Sequence, residues 1–217
     1  MDCKKNYQKE LDKIISGLNG KKPTLLLHAC CAPCSSYVIE YLSKFFDITI
    51  FYYNPNIYPK SEYERRRDEL KNFLPRFPAA YENNVKLIEA PYDPADFYTA
   101  IDIEHNPELK IESERGERCR RCYLLRMEKS FDYAQKNNFD FFTTTLSISP
   151  YKDAEKINSI GYTFVSIQNT KYLPADFKKK SGFLRSTQLS REYGLYRQDY
   201  CGCVFSLENS KKDISKN

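Results

Sequence analysis

Thr24-Leu25-Leu26-Leu27-His28-Ala29-Cys30-Cys31-Ala32-Pro33-Cys34 joins a short apolar run to three closely spaced cysteines. The run from Thr24 to His28 has the length and character of a buried β-strand. Beyond the cysteines, Ser35-Ser36 followed by Tyr37, Val38, Tyr41, Leu42 and Phe45 has the spacing of a capped amphipathic helix. The cysteines therefore sit at a strand-to-helix turn. A helix N-terminus lowers a thiol pKa, because its free N–H groups and dipole stabilise the thiolate that binds metal.

Working outward, the same alternation repeats. Ile48-Thr49-Ile50-Phe51-Tyr52-Tyr53 is a β-branched and aromatic strand ended by Asn54-Pro55-Asn56. Residues 61–74 form a charged helix, and residues 85–89 a third strand closed by Pro91. Residues 122–137 carry helical spacing with Leu125, Phe131 and Ala134 apolar. Residues 139–146 read as a fourth strand, residues 151–160 as a helix, and residues 163–167 as a fifth strand. Strands alternating with helices predict an α/β fold with a largely parallel sheet. Ligand sites in such sheets gather at the carboxyl ends of the strands. The first cysteine group and Thr143-Thr144-Thr145 both fall there. The charge-dense segment 102–118 reads as a mobile loop or small helical insert, and residues 206–217 as a polar end that frays.

The 217 residues fit a single domain, with a core over about 24–206 and polar extensions on either side. The chain holds 18 Tyr, 14 Phe and no Trp; tyrosines serve a core or stack on bases. A net charge of +5 is too small to establish a polyanion partner by itself. No apolar run approaches a membrane span, and the polar start from Met1 to Glu10 has no signal-peptide pattern. No membrane partner and a cytoplasmic location are expected. Thiols stay reduced there, so grouped cysteines favour metal or redox chemistry over a disulfide scaffold.

Of 8 cysteines only Cys3 stands alone. Three groups, Cys30/Cys31/Cys34, Cys119/Cys122 and Cys201/Cys203, lie far apart in sequence and suggest one site assembled by the fold. Cys119-Arg120-Arg121-Cys122, read as following a loop, has spacing that suits zinc, an iron–sulfur cluster or a dithiol redox pair. Its three neighbouring arginines suit an anionic cluster or phosphate. Cys201-Gly202-Cys203 can close a tight, reducible ring or supply two metal ligands. Zinc on Cys30, Cys31, Cys119 and Cys122 makes an awkward chelate of adjacent thiolates and leaves Cys201/Cys203 without a purpose. A cubane separates its irons, so iron–sulfur is favoured.

His28-Ala-Cys-Cys-Ala-Pro-Cys34, Tyr53-Asn-Pro-Asn-Ile-Tyr-Pro59, Arg118-Cys-Arg-Arg-Cys122, Thr143-Thr-Thr-Leu-Ser-Ile-Ser-Pro150 and Tyr196-Arg-Gln-Asp-Tyr-Cys-Gly-Cys203 together resemble the QueH-type epoxyqueuosine reductases. The resemblance runs from about Thr24 to Ser206. It implies a Rossmann-like (HUP-like) layered domain with a helical, cysteine-bearing insert. It implies reduction of epoxyqueuosine to queuosine in tRNA, the last step of queuosine biosynthesis. It further implies a 4Fe–4S cluster on Cys30, Cys31, Cys119 and Cys122, and a redox-active disulfide between Cys201 and Cys203 as the catalytic pair. An additional iron is implied beside the cluster. The residue after Ala-Pro is acidic in some members, and here Cys34 is the candidate ligand. The partners implied are tRNA carrying epoxyqueuosine and an unidentified electron donor.

Tyr53, Asn54, Asn56 and Arg197 are candidate substrate-binding residues, with Tyr52 and Tyr58 nearby. Turn chemistry alone also explains Asn-Pro-Asn. Ser147 and Ser149 fall where a ligand loop is expected. Tyr200, Asp199 and Asp93 are candidate proton donors. Lys178-Lys179-Lys180, Arg185, Arg191 and Arg197 form a basic stretch able to meet tRNA phosphates. His28 reads as a satisfied strand-end residue and His105 as an exposed loop residue. An adenylating enzyme would need a Gly-rich phosphate loop after the first strand, where Cys-Cys-Ala-Pro-Cys stands instead. A zinc-stabilised RNA-binding module without catalysis is the alternative.

Overall fold

The computed structural model describes residues 5–208. Cys3 and residues 209–217 lie outside the described residues. In chain order the elements are α1 (Tyr7–Ser16), β1 (Thr24–His28), α2 (Ala32–Leu42), β2 (Asp47–Tyr52), α3 (Lys60–Phe73), α4 (Pro78–Tyr81), β3 (Lys86–Glu89), α5 (Pro94–Ile101), α6 (Glu117–Lys136), β4 (Phe141–Thr144), α7 (Ala154–Gly161), β5 (Lys171–Tyr172) and α8 (Gly182–Glu192). The sheet order is β3-β2-β1-β4-β5, and every neighbouring pair is parallel.

Period-2 alternation sorts the strand side chains between two helical layers. Leu25 and Leu27 of β1, with Ile48, Ile50 and Tyr52 of β2, pack with side chains from α1, α2, α3, α4 and α8. Leu26, Phe51 and Phe142 point the other way, against Phe97 of α5 and Leu125 and Phe131 of α6. Both faces are covered, so β1 reads as a continuous apolar run. Burying each such side chain contributes roughly 1.5–3 kcal/mol. The chain leaves β1 towards β2 and leaves β4 towards β5. A crevice therefore opens outside the carboxyl ends of the two central strands, β1 and β4.

Several boundaries differ from expectation for identifiable reasons. α2 begins at Ala32, ahead of Ser35-Ser36, with Cys31 as N-cap and Pro33 in the first turn. Pro suits that turn because its missing N–H would have no helical partner. Ser35 and Ser36 instead donate back to the carbonyls of Cys31 and Pro33. α6 begins at Glu117, so Cys119 and Cys122 are helical and do not follow a loop. The Glu112 carboxylate caps that start, accepting from the N–H groups of Glu117 and Arg118 at 2.7 Å each. Segment 102–118 thus contains a 3-10 turn (Pro107–Lys110) and the first residues of α6. Residues 163–167 are not a strand: Val165 and Ile167 are 84% and 90% exposed, and β4 pairs instead with Lys171 and Tyr172. The polar N-terminal extension contains α1, whose Leu11 is fully buried in the core. Ser206, expected to fray, is buried within a helical segment over 204–208.

α7 and the chain after β5 are joined by one buried side chain, Asn158. Its Nδ2 donates to the carbonyls of Ala154 (2.7 Å) and Ala175 (3.0 Å). Its Oδ1 accepts from the Tyr172 hydroxyl (3.1 Å) and the Ala175 N–H (3.0 Å). Gly161 is required beside it, because a Cβ there would lie 2.2 Å from the Tyr172 ring. Asn158→Leu would strand both Ala175 backbone groups and the tyrosine hydroxyl, at about 1–3 kcal/mol for each buried orphan. We expect a loss of about 3 kcal/mol or more in urea unfolding of this variant. A loss below about 1 kcal/mol would remove Asn158 as a structural anchor.

Candidate metal and redox centre

Three segments deliver cysteines to the crevice. The β1–α2 turn brings Cys30, Cys31 and Cys34, whose sulfurs all lie within 4.8 Å of one another. The first two turns of α6 bring Cys119 and Cys122. The C-terminal segment returns over the sheet edge with Cys201 and Cys203, whose sulfurs stand 3.6 Å apart as free thiols. A narrow cavity is lined by Cys119, Cys122, Cys201 and Cys203 together with Asn56 and Arg126. An open pocket of about 420 Å³ has Cys34 and Cys201 in its wall. Glu114, Tyr151, Lys152 and Cys201 border both.

The C-terminal loop is held from several sides. The Arg66 guanidinium donates to the Cys201 carbonyl at 3.3 Å, and the Tyr58 N–H donates to the Gly202 carbonyl at 2.7 Å. The Ser206 hydroxyl accepts from the Cys201 N–H (3.1 Å) and donates to Glu114 (2.7 Å). Gly202 has φ +119°, and a Cβ there would sit 3.0 Å from Arg66 Nη1. Both the backbone region and the close approach demand glycine.

Each neighbouring sulfur set concentrates negative charge on one member. Hydrogen bonds from Cys31 and Cys34 hold the Cys30 thiol well below its ordinary pKa, against burial. Donating that bond pushes Cys31 up to about 12, and donating to Cys30 also raises Cys34. The bond from Cys203 likewise lowers Cys201 to about 6, and Cys203 is raised in return. Cys119 is pushed up to about 12 by burial first and then by Cys201 and Cys122. Burial also raises Cys122, with Arg126 opposing it. A bound metal ion deprotonates such thiols outright.

The positive charges around these sulfurs are under-compensated. Arg66, Arg118 and Arg126 are at most 2% exposed. Arg66 pairs with Glu62 at 2.7 Å, whereas Arg118 and Arg126 make no ion pair among the described residues. Arg66 Nη2, Arg118 Nε and Nη2, and Arg126 Nε are buried without hydrogen-bond partners among the described residues. Burying an unpaired charge costs several kcal/mol. Arg126 faces Cys122 and Cys30, whose thiolates favour its charge against the desolvation that opposes it. Lys152 is placed likewise against Cys30, Cys34 and Cys201. The N-termini of α2 and α6 add partial positive charge from two directions. This donor set fits an anionic metal–thiolate group.

The remaining candidates divide. Tyr53 and Asn54 are buried scaffold: the Tyr53 hydroxyl donates to Asp96 at 2.6 Å, and Asn54 bridges the Ala29 carbonyl (2.9 Å) and Arg126 (2.6 Å). Asn56 borders the narrow cavity, with its Oδ1 buried and without a partner among the described residues. Arg197 lies exposed on the open pocket, stacked over Phe183 and donating to Ser190. Asp199, Tyr200 and Ser149 also line that pocket, whereas Asp93 is the N-cap of α5. Ser147 is buried, and Tyr52 is buried with its hydroxyl on the Tyr63 carbonyl. Lys178, Lys180 and Arg185 are engaged with Asp176, Asp12 and Glu40, leaving less free basic surface than the sequence suggests. His28 is fully buried between the Thr144 hydroxyl (2.8 Å) and the Tyr53 carbonyl (3.1 Å). Burial, then Arg126, hold its pKa down at about 3, so it is neutral. His105 is exposed and paired with Asp102. Sequence reasoning missed the buried roles of Arg66 and Arg126, the position of Lys152, and Gln198. Only the motif neighbourhoods of Lys152 and Gln198 offered a signal.

Residues 25–209 match the family model described as epoxyqueuosine reductase QueH. Curated relatives carrying that description include one from Staphylococcus epidermidis, 43% identical over 97% of this chain and 88% of the relative. Another, from Streptococcus pyogenes serotype M1, is 42% identical over 89% of this chain and 74% of the relative. A third, from Thermotoga maritima, is 36% identical over 85% of this chain and 90% of the relative. Among solved structures, the U34-tRNA thiolase NcsA from Methanococcus maripaludis with its 4Fe-4S cluster is similar at a TM-score of 0.48 and 12% identity, covering 97% of this chain and 73% of that one. The family match over nearly the whole described chain, with relatives this similar, makes the chain a member of the epoxyqueuosine reductase QueH family of oxidoreductases.

Proposed function

We propose that this chain reduces the epoxide of epoxyqueuosine in tRNA to the alkene of queuosine, using a 4Fe–4S cluster and the Cys201/Cys203 dithiol. The observation that carries this reading is the gathering of seven cysteines from three distant segments among buried, under-compensated arginines. Cys30, Cys31, Cys119 and Cys122 would hold the cluster, and Cys34, on the open-pocket wall, is the candidate ligand for an additional iron. When bound, such a cluster supplies one-electron chemistry at low potential.

The chain's own residues do the rest. Cys201 as thiolate and Cys203 as thiol form a local two-electron store. Their oxidation to a disulfide releases two electrons and, counted from the dithiol, two protons. An epoxide takes up two electrons and two protons as both C–O bonds break, a C=C bond forms and oxygen leaves as water. An external reductant restores the dithiol. The open pocket is within the usual size range for a small-molecule site, so it can receive the modified base. Phe183 and Tyr200 offer apolar faces there, and Arg197 and Lys152 offer cationic donors.

The test is conversion of epoxyqueuosine-bearing tRNA by anaerobically prepared, iron-loaded protein with a low-potential reductant, read by nucleoside mass spectrometry. The expected product has one oxygen fewer. Cys201→Ser and Cys203→Ser should each lose multiple turnover while retaining iron. Normal turnover by either variant would exclude the dithiol role. Zinc-loaded protein that binds tRNA but forms no queuosine would instead support an RNA-binding module.

The charge balance yields a second prediction. Arg118→Met removes a buried cation that lacks a counter-charge among the described residues. Metal-free variant should unfold no earlier than wild type, whereas the iron-loaded variant should lose its cluster faster under chelator. Equal cluster retention in both proteins would contradict the proposed charge pairing.

A further inference from the structure

Gln198 connects the open pocket to the buried Cys31 sulfur. Cys31 is fully buried and borders neither cavity. Gln198 lines the open pocket, and its side-chain Nε2 lies 3.2 Å from Cys31 Sγ. With its S–H directed to Cys30, the Cys31 sulfur is left to accept, which places the amide N–H₂ rather than the carbonyl against it. The other end of the amide, Oε1, is buried and has no hydrogen-bond partner among the described residues. An amide anchored at its nitrogen with an unpaired oxygen is half-satisfied, and a donor on a pocket ligand completes it where the wall around Gln198 yields to uncover that oxygen.

We propose that Gln198 is a positioning residue that couples occupancy of the open pocket to the reduction potential of the centre held by Cys31. This rests on the assignment of Cys31 as a cluster ligand. Hydrogen bonds to a ligating sulfur favour the reduced, more negatively charged form and so raise the potential. A hydroxyl or N–H of the bound nucleoside donating to Oε1 polarises the amide and strengthens its N–H···S bond. Substrate then makes the centre easier to reduce. Electrons arrive preferentially when something is present to accept them.

The experiment is a redox titration of iron-loaded full-length protein, wild type and Gln198→Met, with and without an anticodon stem–loop carrying epoxyqueuosine. Methionine matches glutamine in length but offers no N–H donor. The midpoint should be more negative in the variant, and the stem–loop should raise it in wild type only. An unchanged midpoint at full iron content would overturn the sulfur bond, and an equal stem–loop shift in both proteins would overturn the coupling. Wild-type protein with ¹⁵N in the glutamine side-chain amides provides a check independent of the variant's folding. Pulsed EPR of its reduced state should show a ¹⁵N coupling, and absence of that coupling would also reject the inference. Wild-type protein lacking iron and sulfide after reconstitution would instead defeat the cluster assignment, and this inference with it.

Discussion

Uncompensated positive charge at the carboxyl edge of the sheet is the constraint around which the site is arranged. Arg66, Arg118 and Arg126 are buried there, with four guanidinium nitrogens left without partners among the described residues. Such groups are expensive unless an anion meets them. The cysteines supply that anion only in part, because Cys31, Cys34, Cys119, Cys122 and Cys203 all have raised pKa values in the metal-free chain. Metal binding would convert buried thiols to thiolates and satisfy the arginines in the same step.

The parallel sheet makes this economical. Reversal of strand order at β1 and β4 opens one crevice, and the turn after β1 and the first turns of α6 face it. Residues 197–203 then close over it, tied down through Arg66, Tyr58 and Ser206. Cys201 borders both the narrow cavity and the open pocket. The dithiol therefore lies between the proposed cluster ligands and the space where a modified base would sit.

Much of this was legible in the sequence because periodicity and clustering are local signals. Strands β1 to β4 were visible as apolar runs, and the cysteine groups as three clusters. Residues 163–167 misled because β-branched residues suit a strand, yet Phe164 alone turns inward while Val165 and Ile167 face solvent. The start of α2 was hidden because Cys31 caps it without a side-chain bond. The start of α6 was hidden because its cap, Glu112, lies outside the helix. Asn54, a candidate base reader in the sequence, accepts a hydrogen bond from Arg126 in the fold, a pairing across 72 positions that no local pattern reveals. Gln198 escaped notice for the same reason: its partner, Cys31, lies 167 positions away.

On this reading the buried arginines and cysteines enclose an anionic iron–sulfur centre. Mössbauer spectroscopy of anaerobically prepared ⁵⁷Fe protein, with iron, zinc and acid-labile sulfide measured on the same sample, addresses it most directly. On the order of four irons and four sulfides per chain, with the delocalised spectrum of a cubane, is the predicted result. About one zinc per chain and no sulfide after iron reconstitution would contradict it.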